Sequence, residues 1–257
     1  MTKLPDAPSS EETLWKDLRR LTNARIGLKR SGASLATQPL LEFQLAHARA
    51  RDAVHAPLDD ERLAADLAPL GLEVLRIVSA VDDKAAYLMR PDLGRQLAPG
   101  AADILVPRAG IYDVVFVISD GLSALATQSH AVPLLAEVIP ALVKKGWRIA
   151  PIVIVRHGRV AIGDAVATAL GATCAAVLIG ERPGLSAPDS MGAYFSWQPG
   201  AQTTDADRNC ISNIRPAGIG YADAAFKVTH LLAAMRDRGM SGVGLKDLSD
   251  RLLLGDM

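Results

Sequence analysis

Three short apolar runs constrain this chain most. Val114–Ile118 is continuous and largely β-branched, and Ile149–Val155 and Cys174–Ile179 are nearly as apolar. Runs without polar alternation suit strands buried on both faces. Between them lie helical stretches. Asp120-Gly121-Leu122-Ser123 turns into an Ala/Leu-rich helix, a further helix runs from about Leu134 to Lys145, and another lies near Gly163–Leu170. Strands alternating with helices indicate a parallel sheet covered on both faces. Val74–Val78 reads as an earlier β-like run, and Ala85–Leu97 as partly helical, broken near Pro91. Met191–Trp197 reads as a later strand and Tyr221–Arg238 as a closing amphipathic helix. The expected fold is α/β, with a doubly wound, mostly parallel sheet.

The first 70 or so residues differ, because they are helical and hold no core-sized apolar run. Residues 9–22 read as a helix: Ser9 and Glu12 have capping-box spacing, and Leu14, Leu18 and Leu21 share a face. Residues 23–36 read as an irregular basic loop. A second helix is expected from Thr37 as cap, with Pro39 in its first turn, to about His55. A third starts at Asp59 or Asp60, aligns Leu63, Leu67 and Leu70, and ends at Gly71. The spacing thus divides the chain into a helical amino-terminal region, 1–68, and an α/β domain, 69–257. Residues 15–51 carry eight Lys/Arg against Asp17 and Glu42. That surplus suits an acidic protein partner or a solvated helix face, and both readings stay open.

With 257 residues, 49% of them hydrophobic, the chain can bury a sizeable core. Zero formal net charge argues against general nucleic-acid binding. No apolar run approaches the roughly 20 residues that span a bilayer. The start, MTKLPDAPSSEE, has no apolar stretch of the signal-peptide kind, so a cytoplasmic chain with two free thiols, Cys174 and Cys210, is expected. The cysteines lack the further ligands of a zinc site.

Candidate chemistry gathers where strands end, the edge at which open α/β sheets bind ligands. Asp120-Gly121-Leu122-Ser123 is either a ligand loop or an ordinary capped turn. Arg156-His157-Gly158-Arg159-Val160 could meet an anion, although spacing alone favours a solvated turn at Gly158. Glu181-Arg182-Pro183-Gly184-Leu185 offers a carboxylate to ligand hydroxyls or amides, or is a surface ion pair. It opens a tract to Cys210 rich in Gly, Pro and small polar residues, of the kind that carries function. Asp207–Ile214 is polar around Cys210. Its only nearby cations are Arg208 and Arg215, so a structural cysteine touching a ligand is favoured over a nucleophile. His47, His55, His130, His157 and His230 show no metal-ligand spacing, and neither phosphate-binding glycine fingerprint occurs.

Taken together, several strings resemble the small subunit of ethanolamine ammonia-lyase, over about residues 20–245. They are Thr22–Gly27, Thr37-Gln38, Arg51–Val54, Arg90–Arg95, Ser119–Ser123, Gly180–Leu185 and Asp207–Ile214. The amino-terminal arm before Leu14 and the tail Lys246–Met257 fall outside the match. The resemblance implies an ammonia-lyase subunit active only with a larger barrel subunit, in a hetero-oligomer with adenosylcobalamin held between the two. Its reaction is radical: the Co–C bond breaks homolytically, ethanolamine loses a hydrogen and rearranges, and acetaldehyde and ammonia leave. The resemblance further implies that substrate groups sit on the large subunit, with no catalytic residue on this chain. It maps three cofactor contacts onto Val160, Glu181 and Cys210. Because no D-x-H-x-x-G string occurs, it implies base-on cobalamin. Asp120, Ser123 and the loop after Glu181 are candidates for the nucleotide tail. Free cytosol and a bacterial microcompartment both stay open. Two other readings remain: a self-sufficient α/β enzyme binding a phosphate or nucleotide, with Cys210 as a reactive thiol, and a non-catalytic adaptor.

Overall fold

The computed structural model describes residues 10–22 and 24–249. Its frame is a six-stranded sheet: β1 (Val74–Val78), β2 (Tyr112–Ser119), β3 (Ile152–Arg156), β4 (Ala172–Gly180), β5 (Met191–Trp197) and β6 (Arg208–Ile214). The spatial order is β1-β3-β2-β4-β5-β6. The first four in that order are parallel, while β5 and β6 complete the sheet antiparallel. The helices are α1 (Ser10–Arg20), α2 (Thr37–His55), α3 (Asp60–Leu67), α4 (Lys84–Met89), α5 (Ala101–Leu105), α6 (Ala124–Lys144), α7 (Ile162–Leu170) and α8 (Tyr221–Arg238).

Alternation inside the apolar runs explains the layering. Val114, Phe116 and Ile118 of β2 pack with Leu134, Leu135, Val138 and Leu142 of α6 and with Val228, Leu231 and Leu232 of α8. Val115 and Val117 face the other way, into a layer with Leu105 of α5 and Ile162, Val166 and Leu170 of α7. Both side-chain sets are apolar because both faces are covered, which is why no polar alternation is visible in the sequence.

Several expectations need correction. The two helices expected over 120–145 are one, running through Pro133 and Pro140. Each proline removes a backbone donor, but the ten buried residues of α6 hold it together. The strand expected from Ile149 begins at Ile152, after Pro151, which cannot donate to a ladder. Thr37 is the first residue of α2 and not its cap; the cap position is Ala36, without a side-chain bond. Asp59 does cap α3, accepting from Arg62 N. A two-residue hairpin, Arg30–Ser31 with Ser34–Leu35, interrupts the expected irregular loop. The polar stretch around Cys210 is strand β6. The Ser9 capping box lies outside the described residues.

The amino-terminal helices divide by burial. Leu63 and Leu67 of α3 belong to the same core as α6 and α8. In α2 only Ala53 is buried. Leu14, Leu21, Leu41 and Leu45 are 55%, 85%, 58% and 52% exposed. Among the described residues, no helix is long and apolar enough to cross a membrane. No group of His, Cys, Asp and Glu among them could hold a metal ion.

Candidate functional site

The carboxyl ends of β2, β3 and β4 lie along one edge. Because β2 leads through α6 to β3 on one side, and β3 leads through α7 to β4 on the other, the winding reverses between β2 and β3. Ligands of open sheets favour such a reversal. Here the chain's own groups close most of it. The Asp120 carboxylate, 2% exposed, accepts from His157 N at 2.8 Å, and His157 Nδ1 lies 3.2 Å away. Lys84 Nζ stands 3.8 Å from Asp120 and donates to Gly121 O at 2.9 Å. Burial holds the Lys84 ammonium pKa down, against the opposing pull of Asp120. Ser119 Oγ accepts from Gly158 N at 3.0 Å. Ser123 caps α6 through Ala126 N and donates to Pro188 O at 3.0 Å. Asp120 and Ser123 are therefore occupied with holding turns in place. A cavity of about 270 Å³ remains beside them, lined by Pro57, Lys84, Arg156 and His157 among others. A larger cavity, about 760 Å³, lies along β1 between Asp60, Arg76, Pro99 and Ile104.

The β2 turn is pressed against the end of β4. Gly121 has φ +54, and a Cβ on Gly180 would stand 2.7 Å from Asp120 O. Only glycine fits at both. Leu122 N then donates to Gly180 O at 3.0 Å, so the turn fixes where β4 hands over to Glu181.

Glu181 is pinned. Its backbone N donates to Ser190 O at 2.9 Å, closing the 181–190 loop. Ser190 Oγ donates to its carboxylate, Ser212 Oγ donates to Oε1 at 2.5 Å, and Asn213 N donates to Oε2 at 3.2 Å. Beside it, Gly192 is buried beneath two side chains: a Cβ there would lie 3.0 Å from both Glu181 Oε1 and the Tyr194 ring, so glycine lets them close over the strand. Cys210 is the cross-strand partner of Tyr194. Glu181 and Cys210 thus flank Tyr194 on one sheet face. Val160, in the turn before α7, is partly buried against the same core layer as Tyr194. That turn is braced by the Arg90–Arg95 segment: Arg159 N donates to Gly94 O at 2.7 Å, and the Arg159 guanidinium sits 4.0 Å over the Tyr87 ring.

The thiol is not activated. Cys210 is exposed, but burial of its thiol pushes the pKa up; the nearby Tyr194 hydroxyl opposes this and the Glu181 charge adds to it. Neither candidate cation turns towards it. Arg208 makes a two-pronged pair with Asp164, both contacts 2.7 Å, and donates to Ser196 Oγ at 2.8 Å. Arg215 donates to Asn213 Oδ1 at 2.9 Å and stands 3.8 Å from Asp189. Sequence reasoning missed Tyr194, Ser190 and Ser212. Ser212 shares a face of β6 with Cys210, two residues away, a signal hidden because β6 did not read as a strand.

The model of the ethanolamine ammonia-lyase light chain (EutC) matches residues 12–246. The chain belongs to this family. It is 50% identical over 254 residues to the ethanolamine ammonia-lyase small subunit of Ralstonia nicotianae, covering 97% of this chain and 94% of that one. The small subunit of Azotobacter vinelandii is 50% identical over 248 residues, 95% and 92% of the two chains. That of Pseudomonas fluorescens is 48% identical over 244 residues, 93% and 89%. The light-chain family match therefore takes in the amino-terminal helices, the whole sheet and α8.

Proposed function

We propose that this light-chain relative is the small subunit of an adenosylcobalamin-dependent ethanolamine ammonia-lyase, inactive until it meets its large subunit. The face around Glu181, Tyr194 and Cys210 carries the reading. It sets side by side a carboxylate held by three donors, the Tyr194 ring and a neutral thiol. Such a surface suits the rim of a large macrocycle fringed with amide N–H groups, which a carboxylate accepts well. Val160 would add apolar contact, Glu181 would accept from an amide, and Cys210 would pack as an uncharged group. When bound, adenosylcobalamin supplies the homolytic Co–C chemistry that removes hydrogen from ethanolamine. This chain's part is to grip one edge, base-on, and to exclude water there; groups that hold ethanolamine come from the large subunit.

Residues 1–68 would dock on the large subunit, with residues 69–257 facing the cofactor. The exposed leucines of α1 and α2 and the basic surplus over 15–51 support that division. A self-sufficient thiol enzyme is disfavoured, because Cys210 is neutral and both arginines are committed elsewhere.

The test is cobalamin affinity of the assembled complex carrying Glu181→Ala with Val160→Asp. Loss of a charged hydrogen bond is worth about 1.5–3 kcal/mol, so a weakening of roughly tenfold or more is expected. Unchanged affinity would leave this chain as an adaptor that touches no cofactor.

A further inference from the structure

The loop that carries Glu181 is held at its far end by a chain of side chains, centred on buried His130, that the function above does not use. His130 of α6 is 4% exposed. Its Nδ1 lies 2.8 Å from the Tyr221 hydroxyl at the start of α8. Its Nε2 points to Asp189 Oδ2 at 3.5 Å and has no hydrogen-bond partner. A buried ring nitrogen left unpaired is costly, and Asp189 is the acid beside it. The other Asp189 oxygen stands 3.8 Å from Arg215 Nη1, and Pro188 O accepts from Ser123 Oγ at 3.0 Å. The 188–190 corner is thus tethered from α6, from the end of β6 and from the β2 turn.

The proton placement follows. Burial first, and the Asp189 charge second, push the Tyr221 phenol pKa up, so it keeps its proton. The Asp189 carboxylate beside Nε2 favours the tautomer with the ring proton there, which leaves Nδ1 to accept from the Tyr221 hydroxyl. The next residue, Ser190, donates its hydroxyl to Glu181 and its carbonyl accepts from Glu181 N. Where Asp189 is drawn, Ser190 follows, and Ser190 sets the direction of the Glu181 carboxylate.

We propose that Tyr221, His130 and Asp189 form a positioning relay that orients Glu181 towards the cofactor from behind, without touching the cofactor themselves. The inference rests on the reading that Glu181 meets the cofactor. It adds three residues on three separate elements to the determinants of cofactor affinity.

The experiment is equilibrium dialysis of cyanocobalamin against the complex of this chain with its large subunit. The variants are Glu181→Ala, Asp189→Asn, Tyr221→Phe and the double variant Glu181→Ala with Asp189→Asn, each checked for its melting temperature. The relay predicts roughly tenfold weaker binding for Asp189→Asn and a smaller loss in the same direction for Tyr221→Phe. It also predicts a double variant no weaker than Glu181→Ala alone, since coupled residues do not add. Full additivity would reduce Asp189 to general loop support and overturn the relay. So would unchanged binding in both Asp189→Asn and Tyr221→Phe while Glu181→Ala still weakens it. If Asp189→Asn does not fold, Tyr221→Phe decides, because it removes one hydroxyl from a partly exposed side chain. Unchanged binding in Glu181→Ala would instead overturn the reading of Glu181 itself.

Discussion

Three donors converge on Glu181, and its charge reaches Cys210, so the two mapped positions are electrostatically linked. Two predictions follow at this scale. The rising limb of Cys210 alkylation should lie above that of a free thiol, near pH 8.5, because a raised pKa keeps the thiol protonated to higher pH. Glu181→Gln removes one of the raising charges and should move that limb down. Cys174, buried in β4 with its thiol pushed up to about 12, first by burial and then by Asp113, should stay unmodified in the native chain. A rate profile for Cys210 at or below the free-thiol range would contradict the neutral packing role. The second concerns Gly180, whose added methyl would meet the backbone of the β2 turn. Gly180→Ala should cost about 3 kcal/mol in urea unfolding, at the upper end for overpacking. The residues themselves put Glu181 and Cys210 forward as ligand candidates, but only family resemblance named them, with Val160, as cofactor contacts. Spacing located the strand ends, but Tyr194 and the serines around Glu181 become visible only once β5 and β6 are paired.

Edge strands explain most of what the elements concealed. β2 and β4 are buried on both faces, so their apolar runs announce them. β6 has one neighbour and a mixed face, and its sequence, RNCISNI, reads as a loop. What keeps it in place is charge: Asp164 in the first turn of α7 grips Arg208 at the start of β6, with Ser196 between them. Both partners are buried, at 8% and 9% exposure. Removing Asp164 leaves the buried Arg208 with Ser196 and, at 3.7 Å, the exposed Asp205, so Asp164→Ala should destabilise the chain by about 3–5 kcal/mol. A loss below 1 kcal/mol in denaturant unfolding would mean that β6 holds without the pair. Helix α6 teaches the converse. The sequence read as two helices, yet the buried leucine and valine stripe outweighs two missing hydrogen bonds and holds one.

The whole molecule is a sheet covered by helices, with the strand ends that lead to Val160 and Glu181 along one edge and the largely exposed helices α1 and α2 ahead of it. The sheet class was legible because the three apolar runs leave few alternatives. The division near residue 68 was less so: α3 shares the main core through Leu63 and Leu67, while α1 and α2 stay outside it. If those two helices dock on the large subunit, Leu41→Ser with Leu45→Ser should leave the melting temperature within a few degrees and abolish co-purification. Both side chains are already largely in water, so the isolated chain loses little. Retained co-purification would move the docking surface elsewhere. The central claim is that this chain completes a cobalamin-dependent lyase. Acetaldehyde release from ethanolamine with adenosylcobalamin tests it, comparing this chain alone, an ethanolamine ammonia-lyase large subunit alone, and the two together. The account predicts activity only in the mixture. A mixture that co-purifies and releases no acetaldehyde would contradict it.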